Sequence, residues 1–311
     1  MPHPLKPTAL CRGDQIAVLS LASPVEQDRL QKGCDELVTL GYAPKVDRGS
    51  VLARDGFFAG SLADRVAALR HSLDEPGTRA IFCARGGYGS TYLLDCFSEP
   101  PTKPKIVLGA SDITSVEIFL WQTARWVSFY GPMVATNFDR GAGAAHGYDR
   151  ASLLTALTET RQGWSLDLRC ESLVSGDGEG VLLGGCLTLV ESTLGTPWEL
   201  DTAGAILVLE DRGMKPYQVD RALMHLKQAD KLRYLAGIIL GDFPECNAAA
   251  GSETIRDVAC RILAPLGVPI AWGAPIGHTL RAMLTLPLGV QARLSTSSAG
   301  TLTILEPACV P

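Results

Sequence analysis

Short apolar segments alternate with segments of helical periodicity through the first half of this chain. Each apolar segment has the length of a buried strand, and the segments between them carry apolar residues three or four positions apart. Parallel strands need long crossover connections, which are usually helical, so this alternation predicts an α/β fold with a mostly parallel sheet covered by helices. Functional groups of such sheets gather beyond the carboxyl ends of the strands. The predicted strands are 14–22, 43–46, 80–84 and 106–108, and the predicted helices are 24–41, 62–73, 90–96 and 113–124.

The second half resumes the alternation after a less regular stretch. Residues 180–190, 205–209 and 237–240 predict strands, and residues 217–227 predict a helix. A chain of 311 residues has the length of two domains. We therefore predict an N-terminal domain over residues 1–160, a linker over residues 161–178 and a C-terminal domain over residues 179–311.

Composition excludes several classes of function. The chain has 28 Lys and Arg against 33 Asp and Glu and no basic run, so no nucleic-acid partner is expected. The N-terminal segment lacks the apolar stretch of a secretory signal, and the longest apolar runs are too short to span a bilayer. The nine cysteines are scattered without Cys-x-x-Cys, which is typical of free thiols in a reducing compartment. We expect a cytoplasmic protein with no membrane partner, metal ion or other cofactor.

Residues 105–115 place a serine at a sharp bend between a predicted strand and a predicted helix. Gly109 and Ala110 are the small residues that a tight turn needs, and Ser111 follows them. Such a bend exposes the serine hydroxyl beside a helix N-terminus, whose N–H groups stabilise an oxyanion. The arrangement is typical of a nucleophile elbow, although Gly-x-Ser-x-Gly is missing. In the alternative interpretation, Ser111 or Asp112 only caps the helix.

A nucleophilic serine needs a base and a carboxylate that orients the base. His278 stands in a Pro-Ile-Gly-His turn, a setting typical of functional loops. Glu210 follows the predicted strand 205–209, where a carboxylate is either a paired structural charge or a site residue. Ser111, Glu210 and His278 follow the chain order of many hydrolases, but triads are recognised by geometry. The other histidines are weaker candidates because they lie in the tail, in predicted helices or in a Gly/Ala-rich loop: His3, His71, His146 and His225.

Arg85-Gly86-Gly87-Tyr88 follows the predicted strand 80–84. Two adjacent glycines let backbone N–H groups approach a ligand closely, which suits an oxyanion hole. The alternative is an ordinary turn between a strand and a helix.

Several segments together resemble the LD-carboxypeptidase family, serine peptidases that also include the microcin C immunity proteins. The likeness covers nearly the whole chain and lies in the number and order of the segments. They are Gly13-Asp-Gln-Ile-Ala-Val-Leu-Ser-Leu-Ala-Ser-Pro, Ala84-Arg-Gly-Gly-Tyr-Gly, Gly109-Ala-Ser-Asp-Ile-Thr, Tyr130-Gly-Pro-Met, Gly184-Gly-Cys-Leu-Thr-Leu, Leu209-Glu-Asp, Pro216-Tyr-Gln-Val-Asp-Arg, residues 237–242 and Ile276-Gly-His.

The resemblance implies a serine carboxypeptidase that removes the terminal D-alanine from cytoplasmic murein tetrapeptides during peptidoglycan recycling. It implies a homodimer whose subunits have an N-terminal domain resembling class I glutamine amidotransferases, a swivelling C-terminal β/α/β-type domain and an active site between the two. The implied triad is Ser111, Glu210 and His278. The implied oxyanion donors are backbone N–H groups at Gly86, Gly87 and Asp112, and the candidate substrate-binding residues are Arg85, Tyr88 and Cys186. An exopeptidase must recognise a free C-terminal carboxylate, for which Arg85 is a candidate, unless it is a structural ion partner.

Two positions depart from the family pattern. Cys186 stands where Asn is usual after Gly-Gly, and Tyr130 stands where His is frequent before Gly-Pro-Met. Both are expected to line the cleft, so substrate preference is the property most open to change. One alternative is a microcin-C-immunity-type hydrolase of aminoacyl or peptidyl nucleotides, for which an exposed Trp164 or Trp198 would suit base stacking. The other is a peptide-binding protein without catalysis.

Overall fold

The protein is described by a computed structural model that covers residues 3–97, 103–297 and 300–311. Contacts between residues divide the chain into two compact units. The first unit comprises Met1–Thr160, Arg281–Gly289 and Pro307–Pro311, and the second comprises Arg161–Leu280 and Val290–Glu306. The predicted domain boundaries stay a prediction. Residues 1 and 2 of the predicted N-terminal domain lie outside the described residues.

The described residues form fourteen strands and nine α-helices. The strands are β1 Gln15–Leu19, β2 Ala43–Lys45, β3 Thr78–Cys83, β4 Ile106–Gly109, β5 Ser128–Tyr130, β6 Trp164–Asp167, β7 Glu171–Val174, β8 Asp177–Cys186, β9 Ala205–Glu210, β10 Gly237–Gly241, β11 Ile270–Ala274, β12 Leu286–Leu288, β13 Gln291–Ser295 and β14 Thr301–Ile304. The helices are α1 Gln27–Thr39, α2 Arg48–Val51, α3 Leu62–Asp74, α4 Thr91–Leu94, α5 Thr114–Ala124, α6 Arg150–Thr158, α7 Leu187–Ser192, α8 Pro216–Gln228 and α9 Ile255–Leu263.

A six-stranded sheet forms the centre of the first unit, with strands in the order β12–β5–β4–β3–β1–β2. The strands β1 to β5 are parallel, and only β12 at the edge runs antiparallel to its neighbour β5. Helix α1 shows why the chain folds back on this sheet, since its buried residues are Leu30, Gly33, Cys34 and Leu37. That spacing puts one apolar stripe on one helical face. The predicted parallel sheet of an α/β fold is confirmed here.

The second unit has a mixed eight-stranded sheet in the order β6–β14–β13–β8–β9–β10–β11–β7. The four central strands β8 to β11 are parallel, and every residue of β9 is buried. Helices α8 and α9 connect β9 to β10 and β10 to β11, as parallel neighbours require. The antiparallel strands lie outside this parallel core. The chain is therefore a two-unit mixed α/β protein with parallel-sheet regions.

The sequence pattern and the structure differ in a few elements. Residues 161–178, predicted as a linker, contain β6, β7 and the start of β8 in the second unit. Strands β6 and β7 contain no buried residue besides Leu166, so hydropathy does not distinguish them from a loop. Residues 180–190, predicted as one strand, change from β8 to α7 after Cys186. None of the helices among the described residues has the length and apolar character needed to cross a membrane.

Candidate active site

Ser111 lies at the bend where β4 ends and a short 3-10 helix, Ser111–Ile113, leads into α5. Its φ of 61° is in the left-handed region, which costs free energy for a residue with a Cβ atom. The Ser111 N–H donates a hydrogen bond to the phenol oxygen of Tyr130, 3.2 Å away at the end of β5. The predicted sharp bend is present. The neighbouring parallel strands fix the strained backbone of Ser111. Strained conformations persist where the surrounding structure constrains them in this way.

The glycine turn that follows β3 packs directly against this serine. A Cβ atom at Gly86 would lie 2.7 Å from Ser111 Cβ and 3.1 Å from the Asp112 nitrogen. Gly87 has a φ of 110°, and a Cβ atom there would lie 2.3 Å from Ser23 Oγ. Ser23 Oγ in turn accepts a hydrogen bond from the Tyr88 N–H at 3.1 Å. Both positions therefore require glycine, and the turn is set by close approach to two serines.

Asp112 fixes the two turns relative to each other. Its Oδ2 accepts a 2.7 Å hydrogen bond from the Ser90 N–H, and its carbonyl accepts one from the Ser90 hydroxyl. Burial raises the pKa of the Asp112 carboxyl, while the hydrogen bonds from Ser90 and the charge of Arg65 favour the ionised form. Arg65 itself donates to the carbonyls of Leu21 and Gly89. The Asp112 side chain therefore has a structural role, since it connects the Ser111 bend to Ser90. The main-chain nitrogen of Asp112 lies next to Gly86.

In the second unit, Glu210 and His278 form a tightly bonded pair. Glu210 is the last residue of β9 and is fully buried. Its Oε2 accepts a 2.8 Å hydrogen bond from the His278 main-chain N–H and lies 2.9 Å from His278 Nδ1. Gly277 and Gly241 leave room for this carboxylate, because Cβ atoms there would lie 2.2 Å from Glu210 Cδ and 2.5 Å from Glu210 Cβ.

The pair sets the protonation of the imidazole. Burial disfavours the His278 cation, but the charge of Glu210 and its hydrogen bond outweigh burial, so the pKa of His278 is raised. With Nδ1–H bonded to Glu210, the neutral ring carries its lone pair on Nε2. A ring held in this way is able to take a proton at Nε2 as a general base.

Cys186 is buried at the end of β8, beside the Glu210–His278 pair. One donor atom each of Cys186, Glu210 and His278 lies within 4.8 Å of the other two. The thiol donates to Asp211 Oδ2 at 3.5 Å, and the same oxygen accepts from the Thr188 N–H and hydroxyl. Burial and the charges of Glu210 and Asp211 raise the pKa of the Cys186 thiol well above its usual range.

Arg85 and Tyr88, the other candidate substrate-binding residues, flank the glycine turn in different environments. The half-buried Arg85 donates from Nη1 to the Pro24 carbonyl at 3.3 Å. Burial and the neighbouring cations Arg29 and Arg54 lower its pKa. Tyr88 is 51% exposed and stacks on Phe58, with ring centroids 5.8 Å apart.

The structure brings the predicted residues together in two groups. Gly86, Gly87, Ser111 and Asp112 meet at the carboxyl ends of β3 and β4 in the first unit, and Cys186, Glu210 and His278 meet in the second. Tyr130 was predicted to line a cleft, but it is fully buried. Five further residues hydrogen-bond to these two groups or leave room for them, and the sequence patterns assign them no role. Most of them lie at strand ends or in glycine turns, which is the signal that could have identified them. They are Ser23, Ser90, Asp211, Gly241 and Gly277.

The amino-acid sequence matches two family models, which describe an LD-carboxypeptidase N-terminal domain over residues 16–131 and an LD-carboxypeptidase C-terminal domain over residues 179–294. A probable murein peptide carboxypeptidase of Bacillus subtilis is 35% identical, with 94% of this chain and 92% of that protein aligned. The murein tetrapeptide carboxypeptidase of Pseudomonas aeruginosa is 30% identical, with 85% of this chain and 88% of that protein aligned.

The fold is shared with a solved structure of the microcin C7 self-immunity protein MccF in complex with aspartyl sulfamoyl adenosine. The TM-score is 0.89 at 24% identity, and the match covers 98% of this chain and 100% of the MccF chain. At this identity the likeness concerns the fold alone. The two domain models and the curated relatives agree along nearly the full sequence, and this chain therefore belongs to the LD-carboxypeptidase family of peptidases.

Proposed function

We propose that this protein is a serine carboxypeptidase that releases the terminal D-alanine from murein tetrapeptides. The observation that carries the proposal is the buried Glu210 carboxylate bonded to His278, in a chain of a carboxypeptidase family. The left-handed bend at Ser111 supports it, because strain of this kind is typical of nucleophile turns. Relatives that act on murein peptides supply the substrate class.

In this mechanism, Ser111, His278 and Glu210 are the catalytic residues. His278 Nε2 takes the proton from Ser111 Oγ, which attacks the carbonyl carbon of the L-configured centre before D-alanine. Glu210 orients the ring and stabilises its cation through the bond to Nδ1. The proton then passes to the amine of D-alanine as the C–N bond breaks, and water hydrolyses the acyl-enzyme by the reverse proton path.

The negative charge of the tetrahedral intermediate needs donors that are already in place. We assign this role to main-chain N–H groups of Gly86, Gly87 and Asp112. Because Gly86 has no Cβ atom, the glycine turn packs directly against Ser111, and this contact supports the role of its N–H groups as oxyanion donors. The donors cost no reorganisation during the reaction, because the Ser90–Asp112 hydrogen bonds hold the turn.

A carboxypeptidase also has to recognise a free carboxylate, and Arg85 is our candidate. Its cationic neighbours are neutralised in part, since Arg29 pairs with Asp139 and Arg54 pairs with Glu26. Arg85 donates to the neutral Pro24 carbonyl, and a carboxylate of the substrate would give its guanidinium an oppositely charged partner. Tyr88 and Cys186 complete the proposed substrate-binding set.

The resemblance to the family adds finer proposals. They are a homodimer in the cytoplasm, an N-terminal domain of the glutamine amidotransferase type over residues 1–160, a linker over 161–178, and a swivelling C-terminal domain over 179–311. Size measurement in solution tests the dimer.

Mass spectrometry of L-Ala–γ-D-Glu–meso-diaminopimelate–D-Ala tests the activity. We expect the parent protein to release one alanine and Ser111→Ala to release none. Equal cleavage by both proteins would remove Ser111 from the mechanism. If neither cleaves the peptide, the murein proposal is wrong.

An aminoacyl sulfamoyl adenosine incubated in parallel tests the nucleotide alternative. Trp164 and Trp198 are each partly buried, so neither ring is fully open for base stacking. We expect no cleavage of this compound by the parent protein. If the parent and Ser111→Ala bind the murein peptide equally well and neither cleaves it, the protein is a peptide-binding protein instead.

A further inference from the structure

A cysteine thiol, an imidazole and a carboxylate converge in the second unit although they are far apart in sequence. One donor atom each of Cys186, Glu210 and His278 lies within 4.8 Å of the other two. Sulfur, nitrogen and oxygen donors of these three residue types are the usual ligands of Zn²⁺ in proteins. The sequence has no metal-binding spacing, so this donor set exists only because β8, β9 and the His278 turn meet.

The distances suit a small ion after modest movement. Two ligands of a tetrahedral zinc ion, each bound at about 2.0–2.3 Å, lie about 3.5 Å apart. Donor atoms as far as 4.8 Å apart need to approach by little more than 1 Å to reach that spacing. Glu210 Oε2 and His278 Nδ1, which lie 2.9 Å apart, have to separate slightly. His278 is in a loop and its side chain is 23% exposed, so an ion in solution has access from the imidazole side.

The charges around the thiol favour a dication. Glu210 is fully buried, and Asp211 accepts a 3.5 Å hydrogen bond from the Cys186 thiol. Two carboxylates therefore lie next to one sulfur atom. The nearby cation Arg212 is engaged by Glu245 through two hydrogen bonds of 3.0 and 2.6 Å. Buried negative groups gain most from a bound metal ion, whose charge is the largest in such a site.

We propose that Cys186, Glu210 and His278 bind Zn²⁺ and that this ion inhibits the enzyme. Binding replaces the S–H bond of Cys186 with an S–Zn bond, and the thiol proton passes to solvent. The Nδ1 proton of His278 is transferred through solvent to Nε2, and Nδ1 and a Glu210 oxygen become ligands. The ion therefore breaks the bond by which Glu210 orients His278. The inhibition rests on the proposed function, whereas the binding of the ion does not.

Cobalt(II), a spectroscopic substitute for zinc, tests the site without any assay of activity. One equivalent added to the apo-protein should give a thiolate-to-cobalt charge-transfer band and the visible spectrum of four-coordinate cobalt. Both signals should disappear in Cys186→Ser and in Cys186→Asn, which restores the residue usual in the family. Cys260→Ser, which removes a half-buried thiol of helix α9 in the same unit, should keep both. A band that persists in both Cys186 variants would overturn the proposal.

Zinc titration of peptide hydrolysis tests the inhibition. The zinc concentration for half-inhibition should rise at least about tenfold in both Cys186 variants, each measured against its own activity without zinc, because a ligand is lost. Cys260→Ser should respond as the parent does. Parent-like inhibition in the Cys186 variants would contradict the inhibitory site. If the parent cleaves no murein peptide, the proposed function fails, and the cobalt spectra still decide the metal site.

Discussion

At the scale of single residues, Tyr130 holds the Ser111 turn through one hydrogen bond to the backbone. Tyr130→Phe removes this acceptor, and an N–H that loses its partner costs about 1–3 kcal/mol. Because the bond positions the proposed nucleophile and does not bind substrate, we expect kcat to fall about tenfold or more while KM stays within about twofold.

Steady-state kinetics of murein peptide hydrolysis measure this effect. Tyr148→Phe is the matched control, because it removes another buried phenol, one that bonds to Glu36 rather than to the Ser111 turn. Tyr130→His, with the residue frequent in the family, should recover part of kcat. A loss expressed in KM alone would refute the positioning role.

The Glu210–His278 pair predicts the pH dependence of the reaction. In the proposed mechanism, His278 works as a base only when it is neutral, so we expect activity to fall as the pH drops through its pKa. Burial opposes the cation, but Glu210 outweighs burial and raises that pKa above the ordinary 6.5. The acid limb of kcat/KM should therefore lie above pH 6.5 in the parent.

Glu210→Gln removes the charge that stabilises the imidazolium. We expect the acid limb to move to lower pH and kcat to fall by about 10³-fold or more, since the amide no longer fixes the productive tautomer. Glu245→Gln is the control, because its carboxylate pairs with the exposed Arg212. An acid limb that stays in place in Glu210→Gln would show that another group titrates.

At the scale of elements, the site of the first unit depends on how closely the β3 turn approaches the β4 turn. Gly86→Ala would place a Cβ atom 2.7 Å from Ser111 Cβ, so one of the two turns has to move. A shift of about 1 Å in a reacting group costs about 10²-fold in rate. We expect kcat/KM to fall by that order while circular dichroism stays unchanged.

Gly77→Ala is the matched control for this substitution. Its Cβ atom would meet only the end of the Gln15 side chain, at 3.8 Å, in ordinary van der Waals contact. Activity of this variant should remain within about twofold of the parent. Parent-like activity in Gly86→Ala would mean that the two turns are not coupled in the reaction.

Helix α5 carries a buried carboxyl group that is costly to the fold. Both oxygens of Glu117 are buried and have no hydrogen-bond partner among the residues that the structure describes, and burial raises the pKa of this carboxyl well above its ordinary value. The folded state therefore favours the protonated acid. The stability associated with this group is fully present below the unfolded pKa of about 4.3 and is lost as the pH rises towards the folded pKa.

Glu117→Met keeps a similar volume and removes both oxygens. We expect the free energy of unfolding near pH 8 to increase by about 1–3 kcal/mol, with a smaller gain at pH 4. Urea denaturation at several pH values measures the difference. A gain that is the same at pH 4 and pH 8 would contradict the protonation argument.

At the scale of the whole molecule, the chain end belongs to the first unit together with residues near the chain start. The Val310 N–H donates to the Pro7 carbonyl at 2.9 Å, and the Ala9 N–H donates to the Val310 carbonyl at 2.8 Å. Ala308 and Cys309 are fully buried. Deleting residues 307–311 should therefore destabilise the first unit by about 2–4 kcal/mol.

Hydrogen exchange measured by mass spectrometry resolves this effect by region. Exchange should accelerate in the strands β1 to β5 more than in β8 to β11. A chain that lacks only the exposed Pro311 is the control and should exchange as the parent does. Equal acceleration in both sheets would show that the two units unfold together.

Local pattern was sufficient for most elements of the first half. Helix α3 was predicted over residues 62–73 and is Leu62–Asp74, because its side chains at helical spacing need no distant partner to be recognised. Strand β12 was not predicted. Its three residues, Leu286–Leu288, become a strand only by pairing with β5, more than a hundred residues earlier.

Some features of the candidate site likewise follow from local sequence, and others depend on contacts between distant parts of the chain. The parallel α/β class, the Ser111 bend and the glycine turn beside it follow from local sequence alone, because each depends on residues close together in the chain. Three other features become visible only in the folded chain: Tyr130 is buried behind Ser111, Glu210 bonds to His278, and Cys186 borders that pair. Those contacts arise where separate strands end side by side, and hydrophobic periodicity carries no information about which strands become neighbours.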